Sequence, residues 1–405
     1  MEIRGGLIWV RKWLFIFVFI HSSLLIFSQL TEPGMPESFM VKTKASVVIP
    51  QKLLETINIQ TLVAEDEKYS IPNRYGVIQQ MELDIKSLGV KTLIARKGTI
   101  WQYKLTSSNA YSLGIHFKKF NLPAGAKVFI YDDSRNQVAG AFTSIDNNPD
   151  NQLAIAEFKG NYAIIEYYEP LNTTLSGQLI VGAVSQAYKD IQSVLSGRIG
   201  INCTLGASWQ DEKHAVCLMT FNDTKSSYYC TGFLVNNVRE DGTPYFQTAN
   251  HCISTSQEAS SLVTYFNYEN SSCSNADAKL YAQTLSGATL KASNSYSDFT
   301  LLVISQLPPS SYSPYYAGWD ANNQNPQQGT CIHHPNGTPK DIAVDLNAPL
   351  TYSNKISWSD ENGNVTSTTA PNTHWRVVFD QGNVEAGSSG SPLFDGNKRV
   401  IFVRI

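Results

Sequence analysis

Between about Tyr75 and Asp190, apolar and polar residues alternate in short runs: TIWQYKL, SLGIHFKKF, AKVFIYDD, QVAGAF, LAIAEF and YAIIEYYE. A period of two turns one face of each run toward a core and the other toward solvent, as in half-buried β-strands. The segments NLPAG, DSRN, DNNPDN and KGN punctuate these runs with turn-forming residues. Regular short strands with such punctuation predict a β-sandwich over residues 75–195. Its lone His116, between Ile115 and Phe117, reads as a strand residue. Residues 29–74 are polar and weakly patterned and read as a leader or linker.

The stretch SQAYKDIQSVLSGRIG (185–200) reads as a connector, after which cysteines and Asn/Ser-rich loops enter. A boundary near residue 195 leaves residues 196–405 for a second domain, long enough for its own all-β core. Long stretches of 3.6-residue periodicity are hard to find, so the fold class is all-β. At 16 % charged residues and a net charge of −3, the chain offers no basic face for a nucleic acid.

Arg4, Arg11 and Lys12 precede an apolar run from Trp13 to Phe27, with Ile26 and Ser28 before a cleavage site. This predicts a signal peptide over residues 1–28 and a secreted, extracellular or periplasmic product. A membrane anchor is the alternative. Interrupted by His21, Ser22 and Ser23, the run is short for about 30 Å of hydrocarbon, so no stable insertion is expected. All six cysteines lie in the second half, and an even number in an exported chain points to disulfides. No Cys-x-x-Cys pair occurs, so no metal site is expected, and no cofactor is implied.

The chemistry centres on EAGSSGSPLF (385–394), which reads either as a surface turn or as a bend presenting a nucleophilic serine. Ser389 needs a base, and the base needs an orienting partner. His251 in YFQTANHC ends an apolar run and is the candidate base; Asp298 in YSDFTLL is the candidate orienter. The order His, Asp, Ser differs from that of an α/β-hydrolase, whose histidine follows the serine in a Gly-x-Ser-x-Gly elbow; here position 391 is serine.

CTGFLVNN (230–237), TANHC (248–252) and GSSGSP (387–392) resemble the trypsin/chymotrypsin superfamily. YFNYENSSC (265–273), SDFTLL (297–302), AGWD (317–320) and IHHPNG (332–337) are similar, in order, to its bacterial secreted lysyl endopeptidase branch. The resemblance covers residues of about 200 to 401 and implies two Greek-key β-barrels with the site between them. It implies His251 as general base, Asp298 as its orienter and Ser389 as nucleophile, with the N–H groups of Gly387 and Ser389 as oxyanion hole. The implied reaction is peptide-bond hydrolysis through an acyl-enzyme, with protein or peptide substrates cut after lysine or another basic residue. It also implies disulfides Cys230–Cys252 and Cys203–Cys273; by elimination, Cys217 and Cys331 are expected to pair. Trp358 in KISW falls where the branch places an indole beside the catalytic histidine, against the plain reading of core packing.

Trypsin-like zymogens carry an aspartate just before the nucleophile, which pairs with the new N-terminal amine. Position 388 is serine here, so that switch is not expected. The branch carries a removable pro-region, which implies that residues 75–195 form a propeptide; a retained accessory domain is the alternative. After KRVI (398–401) the family pattern would continue, whereas this chain reads FVRI. The expectation is an incomplete second barrel: either a fragment or a frameshift near residue 401 of an active precursor, or a naturally truncated, inactive, protease-like binding protein. Oligomeric state is not legible in the sequence.

Overall fold

The computed structural model describes residues 26–28, 34–41, 48–190, 198–280, 282–322, 325–359 and 365–403. Most of the expected signal peptide and residues 191–197 of the expected connector thus lie outside the described residues. The first part of the chain holds β1 (Ile26–Ser28), β2 (Gln51–Leu53), β3 (Arg74–Asp84), β4 (Val90–Ile94), β5 (Gly98–Thr106) and β6 (Ser112–Asn121). It continues with β7 (Lys127–Tyr131), β8 (Gln137–Phe142), β9 (Leu153–Ala154), β10 (Phe158–Lys159), β11 (Tyr162–Pro170) and β12 (Gln178–Ala187).

One sheet runs β1-β8-β7-β11-β5-β2, with β4 also on β5. In a second, β6, β12 and β3 are neighbours, and β9 and β10 flank β6. Trp101, Leu105, Val128, Ile165 and Tyr167 from the first sheet share one apolar core with Leu113, Ile115, Phe117 and Val184 from the second. Inward residues recur every second position along β5, β7 and β11, while bulges in the β12–β6 and β7–β8 pairings shift the register. LAIAEF is broken into β9 and β10, and the described residues of the 29–74 stretch hold more regular structure than their composition suggests. A helix spans Ile59–Tyr69, started by the Asn58 side chain accepting from the Thr61 N–H and ended by left-handed Ser70. Its buried Asp66 pairs with Arg74 at 2.7 Å and with Lys189 at 2.7 Å, and accepts from the Tyr188 hydroxyl at 2.5 Å.

The second part begins with β13 (Val216–Asn222), β14 (Ser226–Leu234), β15 (Tyr245–Thr248), β16 (Val263–Tyr265), β17 (Thr284–Ser286), β18 (Ala288–Asn294) and β19 (Phe299–Ile304). They pair in the order β17-β16-β13-β14-β15-β19-β18. Gly287 sits between the two end strands, donating to Leu262 O at 2.7 Å and accepting from Ser305 N–H at 3.0 Å, so the sheet curls back on itself without a ladder closing it. Beyond it, β20 (Gly329–His333), β21 (Asp341–Asp345), β22 (Leu350–Tyr352), β23 (Ser357–Ser359), β24 (Val365–Thr368), β25 (His374–Arg376), β26 (Pro392–Phe394) and β27 (Val400–Val403) follow. A four-stranded sheet β21-β20-β26-β27 and two hairpins, β22–β25 and β23–β24, make up this unit.

The two parts are joined by a continuous sheet. β3 pairs antiparallel with β14, Ser226 opposite Val77 and Ser227 opposite Gly76. Tyr75, Ala154, Ala187, Leu218, Tyr229, Val263 and Tyr265 form an apolar cluster across the seam.

Cys203–Cys273 and Cys230–Cys252 are disulfides. The expected Cys217–Cys331 bond does not form: both are buried thiols. Cys217 lies in the core of the first curled sheet with Met219 and Phe246, whereas Cys331 Sγ lies 3.2 Å from Ser391 Oγ in the second unit. Elimination by count fails because Cys217 stands on β13 of the curled sheet and Cys331 on β20 of the second unit.

Candidate active site

Strand pairing brings the candidate base and its partner together. β15 lies antiparallel to β19 with Thr248 opposite Thr300. His251 follows Thr248 by three residues and Asp298 precedes Thr300 by two, so both stand at the same end of that pair. Asp298 Oδ2 lies 2.7 Å from His251 Nδ1, and Oδ1 accepts from the His251 backbone N–H at 2.8 Å. The Asp298 carbonyl accepts from Asn250 N–H at 3.1 Å, locking the two turns together. The Asp298 side chain is 2 % exposed and the His251 side chain 25 %, so a dry carboxylate backs a ring that solvent reaches. Asp298 adopts φ of 49°, a left-handed conformation that aspartate tolerates better than most residues.

Ser389 lies half-buried in the turn before β26. Two glycines shape that turn. Gly387 has φ of +84°, and a Cβ there would lie 2.6 Å from the Tyr229 ring. Gly390 has φ of +83°, and its Cβ would lie 2.2 Å from both Thr231 O and Thr248 Oγ1. Neither position accommodates a side chain. Thr231 of β14 holds the turn from the other unit: its N–H donates to Ser389 O at 2.9 Å and its hydroxyl to Gly387 O at 2.7 Å. Among the described residues no backbone carbonyl accepts from the Gly387 or Ser389 N–H.

The disulfide Cys230–Cys252 ties the residue before Thr231 to the residue after His251. Closing its loop contributes about 3 kcal/mol by chain entropy. The His251 turn and the Ser389 turn are therefore anchored to adjacent residues of one strand.

Of the remaining histidines, His333 Nδ1 lies 2.8 Å from Ser388 Oγ. His334 Nδ1 lies 2.9 Å from Thr338 O, and burial pushes its pKa down to about 3, so the ring is neutral and donates. His214 Nδ1 lies 2.8 Å from Asn267 Oδ1. Sequence reasoning gave His374 no role, yet it is buried near Asp298: burial lowers its pKa while the Asp298 charge raises it. Nothing in its spacing signals this, because β25 arrives there by pairing with the distant β22. Trp358 stands opposite Ser367 in the β23–β24 hairpin, and the stacking of its indole falls outside the described residues. Among the described residues, no group of three or more His, Cys, Asp or Glu could hold a metal ion.

The second part of this mostly β chain thus carries a carboxylate-backed histidine and a glycine-bounded serine turn. Residues 195–402 match the family model described as lysyl endopeptidase, C-terminal domain. The chain belongs to the lysyl endopeptidase family.

It is 30 % identical over 188 residues to a lysyl endopeptidase of Pseudomonas aeruginosa, an alignment covering 44 % of this chain and 37 % of that protein. The chain thus spans little more than a third of that relative's length. A secreted RxLR effector protein 73 of Plasmopara viticola is 25 % identical over 340 residues, covering 74 % of this chain and 75 % of the effector. Among solved structures, the active form of the Rv3671c protease from M. tuberculosis aligns over 52 % of this chain and 78 % of its own. Its identity is 15 % and its TM-score 0.33. A thermostable serine protease, AL20, from an extremophilic microorganism aligns over 46 % and 81 %, at 16 % identity and a TM-score of 0.31.

Proposed function

We propose that the protein is the precursor of a secreted serine endopeptidase in which His251, Asp298 and Ser389 form the catalytic triad. Asp298 keeps the proton of His251 on Nδ1, leaving the Nε2 lone pair to take the proton of Ser389 as its Oγ attacks the scissile carbonyl. The N–H groups of Gly387 and Ser389 stabilise the oxyanion, and the imidazolium returns its proton to the departing amine. Water then hydrolyses the acyl-enzyme by the same route. The observation that carries this reading is the two-point hold of Asp298 on both the ring and the backbone of His251. Family membership supports cleavage after lysine or another basic residue.

The region of about residues 75–195 acts, in this reading, as a pro-region that masks the site. In support, Gly76 and Val77 of β3 pair with Ser227 and Ser226 of β14, and just before that region Asn73 O accepts from Tyr229 N–H at 3.1 Å and Pro72 O from the Tyr229 hydroxyl at 3.1 Å, on the strand edge that borders Gly387. The two disulfides suit an oxidising, extracellular or periplasmic destination.

A fluorophosphonate should label Ser389, and Ser389→Ala should abolish labelling; labelling that survives the substitution would sink the assignment. Asp298→Asn should lower turnover by about 10⁴ by stabilising the wrong tautomer.

A further inference from the structure

The residue before the proposed nucleophile has no carboxylate to offer, and its hydroxyl is already committed. Ser388 Oγ lies 2.8 Å from His333 Nδ1 and accepts from Glu385 N–H at 3.2 Å. The charge beneath the turn comes from elsewhere in the chain. Ile199 O accepts from Ile342 N–H at 2.9 Å, and Ile201 N–H donates to Lys340 O at 3.1 Å. This pairing along β21 delivers the Arg198 guanidinium inward, and its side chain is 8 % exposed.

Nη1 of Arg198 donates to Pro335 O at 3.0 Å and to Thr338 Oγ1. Nη2 lies 3.7 Å from Glu385 Oε2, and Nε lies 4.0 Å from Asp341 Oδ2. Nε, Nη2 and Asp341 Oδ2 make no hydrogen bond among the described residues, so these two contacts are ionic. The groups it joins bear directly on the turn. Glu385 O accepts from Ser388 N–H at 3.0 Å, and Asn336 N–H donates to Ala386 O at 2.6 Å. The Asn336 side-chain amide donates to the Glu385 carboxylate.

We infer that Arg198 is a positioning residue whose buried guanidinium holds the 385–389 turn, and the Gly387 and Ser389 N–H groups with it, in the uncut chain. No newly created α-amine is needed to assemble the turn. The inference rests on the proposed triad for its catalytic consequence but not for its structural one. Its physical basis is charge balance in a dry site. Asp341 is buried beside Glu385, and burial pushes its carboxyl up to about 7 while Arg198 pulls it down and Glu385 pushes it further up. Without the guanidinium, two acids would face each other beneath the turn, and Pro335 O would be left to the Thr338 N–H and hydroxyl alone.

The test compares the full chain with Arg198→Gln and Arg198→Lys. In Arg198→Gln, amide exchange in a peptide covering 384–391 should rise about tenfold, with the β3–β14 seam unchanged. On a lysyl ester, kcat should fall about 10- to 100-fold with little change in KM, because a small misplacement of the donors acts on the transition state. Arg198→Lys, or millimolar guanidinium added to Arg198→Gln, should restore part of the rate. A merely structural anchor would spread the exchange increase over the whole barrel and show no rescue, and that result overturns the inference. So does unchanged exchange in 384–391. If the parent chain carries no label at Ser389, the proposed triad fails instead, and the exchange measurement still decides for or against Arg198.

Discussion

Glu157 sets a pH limit on the seam between the two parts of the molecule. Its side chain is 3 % exposed and accepts from the Tyr75 hydroxyl at 3.0 Å and from Ser112 Oγ at 2.7 Å. Tyr75 belongs to the apolar cluster that crosses the seam. Burial pushes the Glu157 carboxyl up to about 7, with the Ser112 and Tyr75 hydroxyls opposing. The folded protein therefore binds this proton more tightly than the unfolded chain. The associated stability is fully present at low pH and is lost as pH rises from the ordinary carboxylate range through about 7. The gap between 4.5 and about 7 amounts to about 3 kcal/mol at about 1.4 kcal/mol per pH unit. Glu157→Gln carries no proton to lose, so its stability should lack this fall. Urea unfolding at pH 5 and pH 8, in a Ser389→Ala background that prevents self-digestion, measures the difference. Asp341 titrates with the same sign in both proteins and cancels. Equal losses in parent and variant between the two pH values would refute the reasoning.

Two further outcomes follow from close contacts. Gly390→Ala should slow labelling of Ser389 at least about 100-fold and destabilise the fold by roughly 3 kcal/mol, since its Cβ meets Thr231 O and Thr248 Oγ1 at 2.2 Å. Normal labelling kinetics would show that the turn relaxes. Glu269→Gln should cost about 3–5 kcal/mol at pH 7, measured by urea unfolding, because it strands Lys213 at 2.6 Å and Lys340, whose side chain is 0 % exposed, at 3.2 Å. Burial alone would raise the Glu269 carboxyl; Lys340 and Lys213 outweigh it and bring it down to about 2. The stability it provides is present above the ordinary carboxylate range and lost as pH falls through about 2, so parent and variant should converge there.

What the sequence could announce depended on whether the signal was local. Alternation marked β5, β6, β7, β8 and β11 because each strand's burial is written in its own residues. The disulfides Cys230–Cys252 and Cys203–Cys273 came from a resemblance, and the structure forms both. Counting the remaining cysteines said nothing about which sheet carries each sulfur, and there the expectation failed. The helix at 59–69 was missed because its buried anchor is an aspartate, so no apolar stripe revealed it. His251 and Asp298 were legible as candidates from motif and order. Their hydrogen bonds were not, since these depend on the β15–β19 register, which brings together turns 47 residues apart. Arg198 was the least visible, because nothing beside it in the chain shows that it will meet Glu385.

The joining of β3 to β14 was equally invisible, and it bears most on the proposed function. Strand β14 meets the N-terminal sheet at Ser226–Tyr228, carries the Asn73 contact at Tyr229 and the disulfide to Cys252 at Cys230, and holds the Ser389 turn at Thr231. Removing the N-terminal part would free the backbone groups of Ser226–Tyr229 while leaving the Thr231 bonds intact. An exposed strand edge readily pairs with another extended chain. On the proposed reading, the edge that binds the pro-region is thus the edge nearest the nucleophile at which an extended peptide could add. Masking and substrate docking would then compete for the same backbone donors and acceptors, so release of the N-terminal part would expose the groove without any rearrangement of the triad.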